Sequence, residues 1–282
     1  MDVKKAIQFM FISAFAFACM NSAVKYLVDM NAFEIVFFRS IGTLFLTFGY
    51  LYKKKIPAFG NNKKLLTLRS LVGLISMTLF FMSTKYIPIG TAVSLRYLAP
   101  IFAAIFSIFL LKDTIKHWQW LFFLISFLGV LVLKGLDTQT NNYGLFLSVA
   151  SAVFSGLVFI TVSKIGKSEH PVVVVHFFMF ISTIVGGVLA IANWTNPEGW
   201  WEWLLLCSLG FFGYFGQVFM TKAFQVASTS QVAPLNYLEV IFTVLVGVFL
   251  FDEIYTVWSI VGMFMIILGL VLNFRYKANR LD

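Results

Sequence analysis

Apolar stretches of similar length follow one another along almost the whole chain, with short polar segments between them. We place these stretches at about 6–28, 34–51, 67–86, 91–111, 118–134, 143–164, 173–192, 202–224, 231–251 and 256–275. Each is close to the roughly 20 residues that a helix needs to cross a hydrocarbon core about 30 Å thick. A helix also satisfies its own backbone hydrogen bonds, which lipid cannot do. The pattern therefore predicts an all-α integral membrane protein with ten transmembrane helices.

The composition supports a chain that lives in a lipid bilayer. Of the 282 residues, 60% are hydrophobic and only 12% are charged, which is too little polar surface for a soluble domain of this length. The ten spans leave no stretch long enough for a soluble catalytic domain. Cys19 and Cys207 both fall inside spans, so they predict neither a disulfide framework nor a metal site.

Basic residues are distributed unevenly between the two faces that the spans define. With the N-terminus on the inner face, 16 Lys and Arg residues, Arg69 among them, fall on that face. The outer face receives only Lys25, Lys85 and Lys134. Because basic loops stay in the cytoplasm during insertion, we expect a multi-pass protein of the cytoplasmic (inner) membrane with both termini cytoplasmic. The same bias explains the net charge of +9 without a nucleic-acid partner.

The second half of the chain repeats the first. A shift of 140 residues places 91–133 on 231–273 without a gap, and Tyr97, Trp118 and Gly129 then coincide with an identical residue. Each copy holds five spans, an odd number, so the two copies must cross the membrane in opposite directions. We therefore predict two inverted five-helix repeats, at 1–137 and 138–282. Inverted repeats are typical of secondary transporters.

Three segments carry a resemblance to a known family. They are Asn21 to Lys25, the run Phe33-Glu34-x-x-Phe37-Phe38-Arg39, and Ala233 to Glu239. With the five-plus-five repeat, they make the chain resemble the drug/metabolite transporter superfamily, and within it the EamA-type permeases. The resemblance extends over nearly the whole chain and is strongest to a bacterial subgroup that includes permeases for S-adenosylmethionine. It implies transport of a small molecule and leaves the substrate open.

The strongest candidate site residues lie at equivalent positions of spans four and nine. Span four holds Arg96 and Tyr97, and span nine holds Asn236, Tyr237 and Glu239. A proline close to each group, before it in span nine and after it in span four, removes a helical hydrogen bond, as in the broken helices of transport sites. Since charges at membrane depth need water, substrate or one another, we expect these groups to face a central cavity. A purely structural ion pair between Arg96 and Glu239 is the alternative.

Further polar residues inside spans are candidates for the same substrate-binding cavity. They are Arg39, Asn21, Lys25, His176 and Gln217. Three of them have a structural alternative: Arg39 pairs with Glu34 or a helix end, Lys25 extends to the membrane surface, and His176 is a hydrogen-bonded packing residue.

The candidate charges indicate the kind of substrate. Buried basic groups outnumber Glu239, which favours an anionic or zwitterionic metabolite, moved by alternating access. An exporter of amphipathic or cationic compounds through an aromatic cavity is the alternative within transport.

An enzyme is not expected, because the spans hold no Asp, no His/Glu pair at metal-ligand spacing and no activated nucleophile. A scaffold, a receptor or a channel fits the repeat less well. No cofactor or metal is implied, and a coupling proton or ion stays open.

The topology can be tested by labelling single cysteines in a variant without Cys19 and Cys207. A membrane-impermeant maleimide added to intact cells should modify cysteines placed in the 193–202 loop. Cysteines in the 53–64 loop should react only after the membrane is permeabilised, because the basic loop lies in the cytoplasm. The reverse pattern would contradict the predicted orientation.

Overall fold

The computed structural model describes residues 3–110, 117–135, 141–165, 168–192, 194–226 and 237–278, and the regular structure in these ranges is helical. The helices are α1 (Val3–Tyr26), α2 (Ala32–Lys54), α3 (Lys63–Ser83), α4 (Ile89–Arg96), α5 (Ala99–Leu110), α6 (His117–Gly135), α7 (Asn142–Ile165), α8 (Pro171–Ile191), α9 (Gly199–Val226), α10 (Tyr237–Phe251) and α11 (Val257–Ala278).

These helices account for the ten predicted spans. Six of them (α1, α2, α3, α7, α8 and α9) are long and apolar enough to cross a membrane alone. Four shorter apolar stretches, in α4–α5, α6, α10 and α11, complete the set. Phe45, Phe146 and Phe249 are 76%, 68% and 79% exposed on the outside of the bundle, as expected for side chains that face lipid. The chain is therefore a multi-pass membrane protein with the predicted all-α fold.

The fourth span is broken in the middle. Helix α4 ends at Arg96, Tyr97 caps it, and α5 begins at Ala99. Pro100 has no N–H to donate to the carbonyl four residues earlier, that of Arg96, so a continuous helix would lose a bond here. The backbone turns instead through a hydrogen bond from Leu98 N to the Leu95 carbonyl, 3.0 Å long. The break leaves Arg96 and Tyr97 at the centre of the bundle.

The packing of helices repeats when the two halves are exchanged. Helix α1 packs on α9, and its counterpart α7 packs on α3. Likewise α7 packs on α5, and α1 packs on α10. Helix α2 also packs on α9, and its counterpart α8 packs on α3. Three further contacts, α2 with α8, α6 with α11 and α4 with α10, each join a helix to its own counterpart. This is the pattern of a two-fold relation between five-helix repeats.

Two glycines show the 140-residue register in atomic detail. A Cβ on Gly129 of α6 would lie 2.7 Å from the Gly262 carbonyl oxygen of α11. A Cβ on Gly269 of α11 would lie 2.5 Å from the Phe122 carbonyl oxygen of α6. Gly269 is the repeat partner of Gly129, and Phe122 is the repeat partner of Gly262, so the two contacts are equivalent. Both glycines therefore allow the same backbone approach, once from each side.

Two carboxylates tie loops of one repeat to helix starts of the other. Glu34, in the first turn of α2, accepts a hydrogen bond from Thr195 N at 3.0 Å. Glu169, just before α8, accepts from Asn61 N at 2.6 Å and Asn62 N at 2.7 Å. The repeats are thus joined at both ends of the bundle. The boundary that we predict between 137 and 138 lies outside the described residues and stays a prediction.

The glycine contacts predict matched effects of two substitutions. Gly129→Ala and Gly269→Ala should each lower the free energy of unfolding by about 1–3 kcal/mol, because each methyl group would overlap the backbone of the facing helix. Thermal unfolding of the purified protein would measure this.

Gly49→Ala is the control for these variants. Nothing lies within 4 Å of a Cβ at Gly49, and alanine is favoured in helices, so it should be neutral or stabilise by up to about 1 kcal/mol. A large loss at only one of the paired glycines would contradict the two-fold contact.

Candidate functional site

A buried carboxylate at the centre of the bundle joins three helical segments. Glu239 of α10 is 3% exposed. Its Oε1 accepts hydrogen bonds from Arg96 Nη2 at 2.7 Å and from Asn21 Nδ2 at 3.0 Å. Its Oε2 accepts from the Tyr97 hydroxyl at 2.5 Å. Three donors from α1 and from the break after α4 therefore replace the water that the carboxylate has lost.

Local structure explains how Arg96 and Tyr97 both reach one acid. They are consecutive in sequence, and consecutive residues of an uninterrupted helix point about 100° apart. The end of α4 at Arg96 lets the next residue turn independently. The Arg96 guanidinium also lies over the ring of Phe80, 4.2 Å from its centroid, so α3 holds it from the other side.

Arg96, Tyr97 and Glu239 border a cavity of about 150 Å³. This exceeds the roughly 10–15 Å³ that a single water molecule requires. Its polar lining includes Arg39, Arg69, Ser76, Arg96, Tyr97, Ser155, Gln217 and Glu239, and its aromatic lining includes Phe17, Phe80, Phe81, Phe159 and Phe178. Among the described lining residues, three are arginines and Glu239 is the only carboxylate.

Arg39 of α2 is buried among soft, weakly accepting groups. Its Nε lies 3.1 Å from Met20 Sδ, and its Nη1 contacts Met77 Sδ. The guanidinium carbon is 5.8 Å from the centroid of the Phe81 ring. The pairing with Glu34 that we considered does not form, because the Glu34 carboxylate is used by the backbone N–H groups of Asn31 and Thr195.

Arg69 lines the same cavity, and sequence reasoning missed it. We counted it among the basic residues of the inner face, but it lies in the second turn of α3 and is 4% exposed. Its guanidinium carbon is 4.0 Å from the centroid of the Phe178 ring. Its Nε and Nη1 are buried and have no hydrogen-bond partner among the described residues. The available signal was spacing: Gly73 and Met77 follow at intervals of four, on one helix face.

The other candidates divide between the cavity and the rest of the bundle. Gln217 lines the cavity. His176 lies instead between α2 and α8, where its Nδ1 is 2.9 Å from the Thr47 hydroxyl. Lys25 is also away from the cavity, and its Nζ donates to the Thr84 carbonyl at 2.8 Å. Asn236 and the side chain of Tyr237 lie outside the described part of the chain.

Lys25 belongs to a polar cluster that joins α1, the start of α4 and the loop between α10 and α11. Glu253, in the loop between α10 and α11, lies 3.6 Å from Lys25 Nζ and accepts from Ile89 N, at the start of α4, at 3.1 Å. The Tyr255 hydroxyl donates to Glu253 at 2.6 Å and accepts from Gly90 N at 3.2 Å. Burial, followed by the adjacent Glu253 charge, raises the pKa of Tyr255, so it remains a donor.

Ten spans in two related halves, with a charged cavity at their centre, define a membrane transport protein. The model of the EamA-like transporter family matches residues 4–134 and 142–275. The chain belongs to this family, which confirms the resemblance found in the sequence, and its function is transport rather than catalysis.

Several relatives extend over most of the chain. The pseudopaline exporter CntI of Pseudomonas aeruginosa is 27% identical over 98% of this chain and 98% of its own. Human solute carrier family 35 member G1 is 24% identical over 95% of this chain and 79% of its own. The S-adenosylmethionine uptake transporter of Rickettsia prowazekii is 26% identical over 81% and 78%. A solved crystal structure, 18% identical, covers 98% of both chains with a TM-score of 0.71 and shows the shared fold.

The charge balance at the centre predicts unequal effects of removing either partner of the ion pair. Glu239→Gln should lower the free energy of unfolding by about 3–5 kcal/mol, because three arginines would then share a cavity with no carboxylate among its described lining residues. Arg96→Gln should cost less, since Tyr97 and Asn21 still donate to Glu239. Thermal unfolding of both variants in the same lipid or detergent would compare them.

Glu198→Gln, at an exposed glutamate, is the matched control and should change little. A larger loss for Arg96→Gln than for Glu239→Gln would mean that the cavity arginines do not depend on Glu239.

Proposed function

We propose that this chain is a secondary transporter that moves a small anionic or zwitterionic metabolite across the cytoplasmic membrane by alternating access, with both termini in the cytoplasm. The observation that carries the proposal is the charge of the cavity. Arg39, Arg69 and Arg96 border it, and Glu239 is their only described acidic counterpart there. The pair formed by Arg96 and Glu239 is neutral together, so two positive charges remain for a ligand.

The cost of those charges favours a role in binding. A charge near the bilayer centre costs about 2.5–3.5 kcal/mol on insertion scales, and more where it is fully shielded from water. Arg39 is held by sulfur atoms and an aromatic ring, which do not neutralise it. An anionic group entering the cavity would supply the missing charge and turn this cost into binding energy.

A polar cluster at one end of the bundle supports alternating access. The cluster formed by Lys25, Glu253 and Tyr255 links α1, the start of α4 and the loop between α10 and α11 at one end. Arg69 lies at the other end of the spans, near the start of α3. Two halves related by exchange can rock about a central site and open either end in turn. In this arrangement the cluster of Lys25, Glu253 and Tyr255 breaks whenever its own end of the bundle opens.

The relatives place no limit on direction. One is named as an exporter and another as an uptake transporter. Pseudopaline and S-adenosylmethionine are the compounds in the names of those two relatives, and we do not assign either to this chain. The alternative substrate class is an amphipathic or cationic compound, and aromatic rings such as Phe17, Phe81 and Phe159 favour it. The surplus of arginines around the same cavity opposes a cation.

Uptake by the purified chain in proteoliposomes tests the proposal. The panel would contain labelled dicarboxylates, amino acids, nucleosides and the lipophilic cation tetraphenylphosphonium. We expect accumulation of an anionic or zwitterionic compound. Arg96→Gln should reduce its initial rate at least about tenfold, because Glu239 would then neutralise one of the two other arginines, and the ligand would lose a charge-assisted contact worth about 1.5 kcal/mol or more.

Lys53→Gln, at an exposed lysine, is the control and should transport normally. Accumulation of tetraphenylphosphonium alone would establish the alternative. Full transport by the Arg96→Gln, Glu239→Gln double variant would show that this pair is structural and has no direct part in binding.

A further inference from the structure

Arg69 is a buried arginine that takes no part in the ion pair between Arg96 and Glu239. It is separated in sequence from Phe80, the residue on which Arg96 lies, by 11 positions of the same helix. At 1.5 Å per residue this places the two Cα atoms about 16 Å apart along α3. Met77, which contacts Arg39, lies between them. Three guanidinium groups are thus staggered along one face of α3, and among the described residues only that of Arg96 has a carboxylate partner.

The surroundings of Arg69 hold the guanidinium without saturating it. One face lies on the Phe178 ring, at 4.0 Å from the centroid. Gly73 leaves room beside it, since a Cβ there would be 3.0 Å from Nη1 and 3.1 Å from the Phe178 ring. Nε and Nη1 remain buried and unpaired among the described residues. A buried donor without an acceptor is costly, so a guanidinium that is fixed in place with free donors is suited to an incoming oxyanion.

Arg39 offers a second cation to the same anion. Its donors meet the sulfur atoms of Met20 and Met77, which are weak acceptors that an oxygen anion easily outcompetes. The side chains of Ser76 and Gln217 line the same cavity and can complete a polar surface around a ligand.

We propose that Arg69 and Arg39 form an oxyanion subsite separate from the Arg96–Glu239 pair, and that the transported compound is a di- or tricarboxylate whose carboxylates occupy it. The inference rests on the proposed transport function. Two unneutralised guanidinium groups match two carboxylates in charge, and planar guanidinium donors match carboxylate oxygens in geometry. A compound with one carboxylate would leave one buried cation unpaired.

Thermal unfolding of the purified full chain in nanodiscs tests this subsite, with tricarballylate, succinate and the monocarboxylate propionate as probes. Tricarballylate and succinate should raise the unfolding temperature of the unchanged protein more than propionate does. In Arg69→Met the apparent affinity for tricarballylate should fall about 10–100-fold. Arg69→Met without ligand should unfold about 2–4 °C higher, because it loses an uncompensated buried charge.

Two further variants separate binding from general effects of charge. Arg69→Lys keeps the charge but loses the planar donors, so its affinity should lie between those of the unchanged protein and Arg69→Met. Arg275→Met removes an exposed arginine and should leave the tricarballylate response intact.

The outcomes distinguish this subsite from the proposed function. An unchanged tricarballylate response in Arg69→Met, with a lower unfolding temperature, would show that Arg69 is structural and overturn the subsite alone. A response to propionate as strong as that to tricarballylate would overturn the polycarboxylate assignment. If no probe stabilises the unchanged protein while proteoliposomes accumulate another anion or zwitterion, the transport proposal stands and this one fails.

Discussion

The hydrogen bonds to Glu239 are the interaction on which the centre of the molecule depends. One carboxylate from the second repeat accepts from Asn21, Arg96 and Tyr97 of the first. Each donor would be costly if buried alone, and so would the acid. Because they come from α1, α4 and α10, the same bonds fix three segments around the cavity. The break after Arg96 is what allows two neighbouring residues to reach one acceptor.

Around this centre, the repeat determines which surfaces meet. Where a helix packs on its own counterpart, as α6 does on α11, equivalent faces of the two helices meet, so each face must fit the other. Gly129 and Gly269 show how this is achieved, with small residues at matching positions so that backbones approach closely. The bonds of Glu34 and Glu169 to loops of the opposite repeat add polar connections at the two ends. The repeats therefore share one interior rather than two.

Hydropathy and the 140-residue register predicted most of the fold, because the length of an apolar run and the twofold recurrence of Tyr, Trp and Gly are visible in the chain itself. Proline and buried charge mark a broken span, and from them we expected Arg96, Tyr97 and Glu239 at one cavity, where the structure has them. Arg69 escaped because it lies close to Lys63 and Lys64, where a basic residue is normally a loop charge. Lys25 and His176 have partners that are distant in sequence, Glu253 and Thr47, and spacing along the chain does not reveal them.

The dependence of the first repeat on Glu239 has a consequence for how the protein is made. Arg96 is separated from its partner by 143 positions, so the ribosome completes five spans and several more before the acid emerges. Until then Arg39, Arg69 and Arg96 are in newly inserted helices without that carboxylate. Those helices must stay near water or the insertion machinery, because three unpaired arginines are poorly soluble in lipid. Biogenesis therefore couples the two halves: the first reaches its final packing only after the ninth span has entered the membrane.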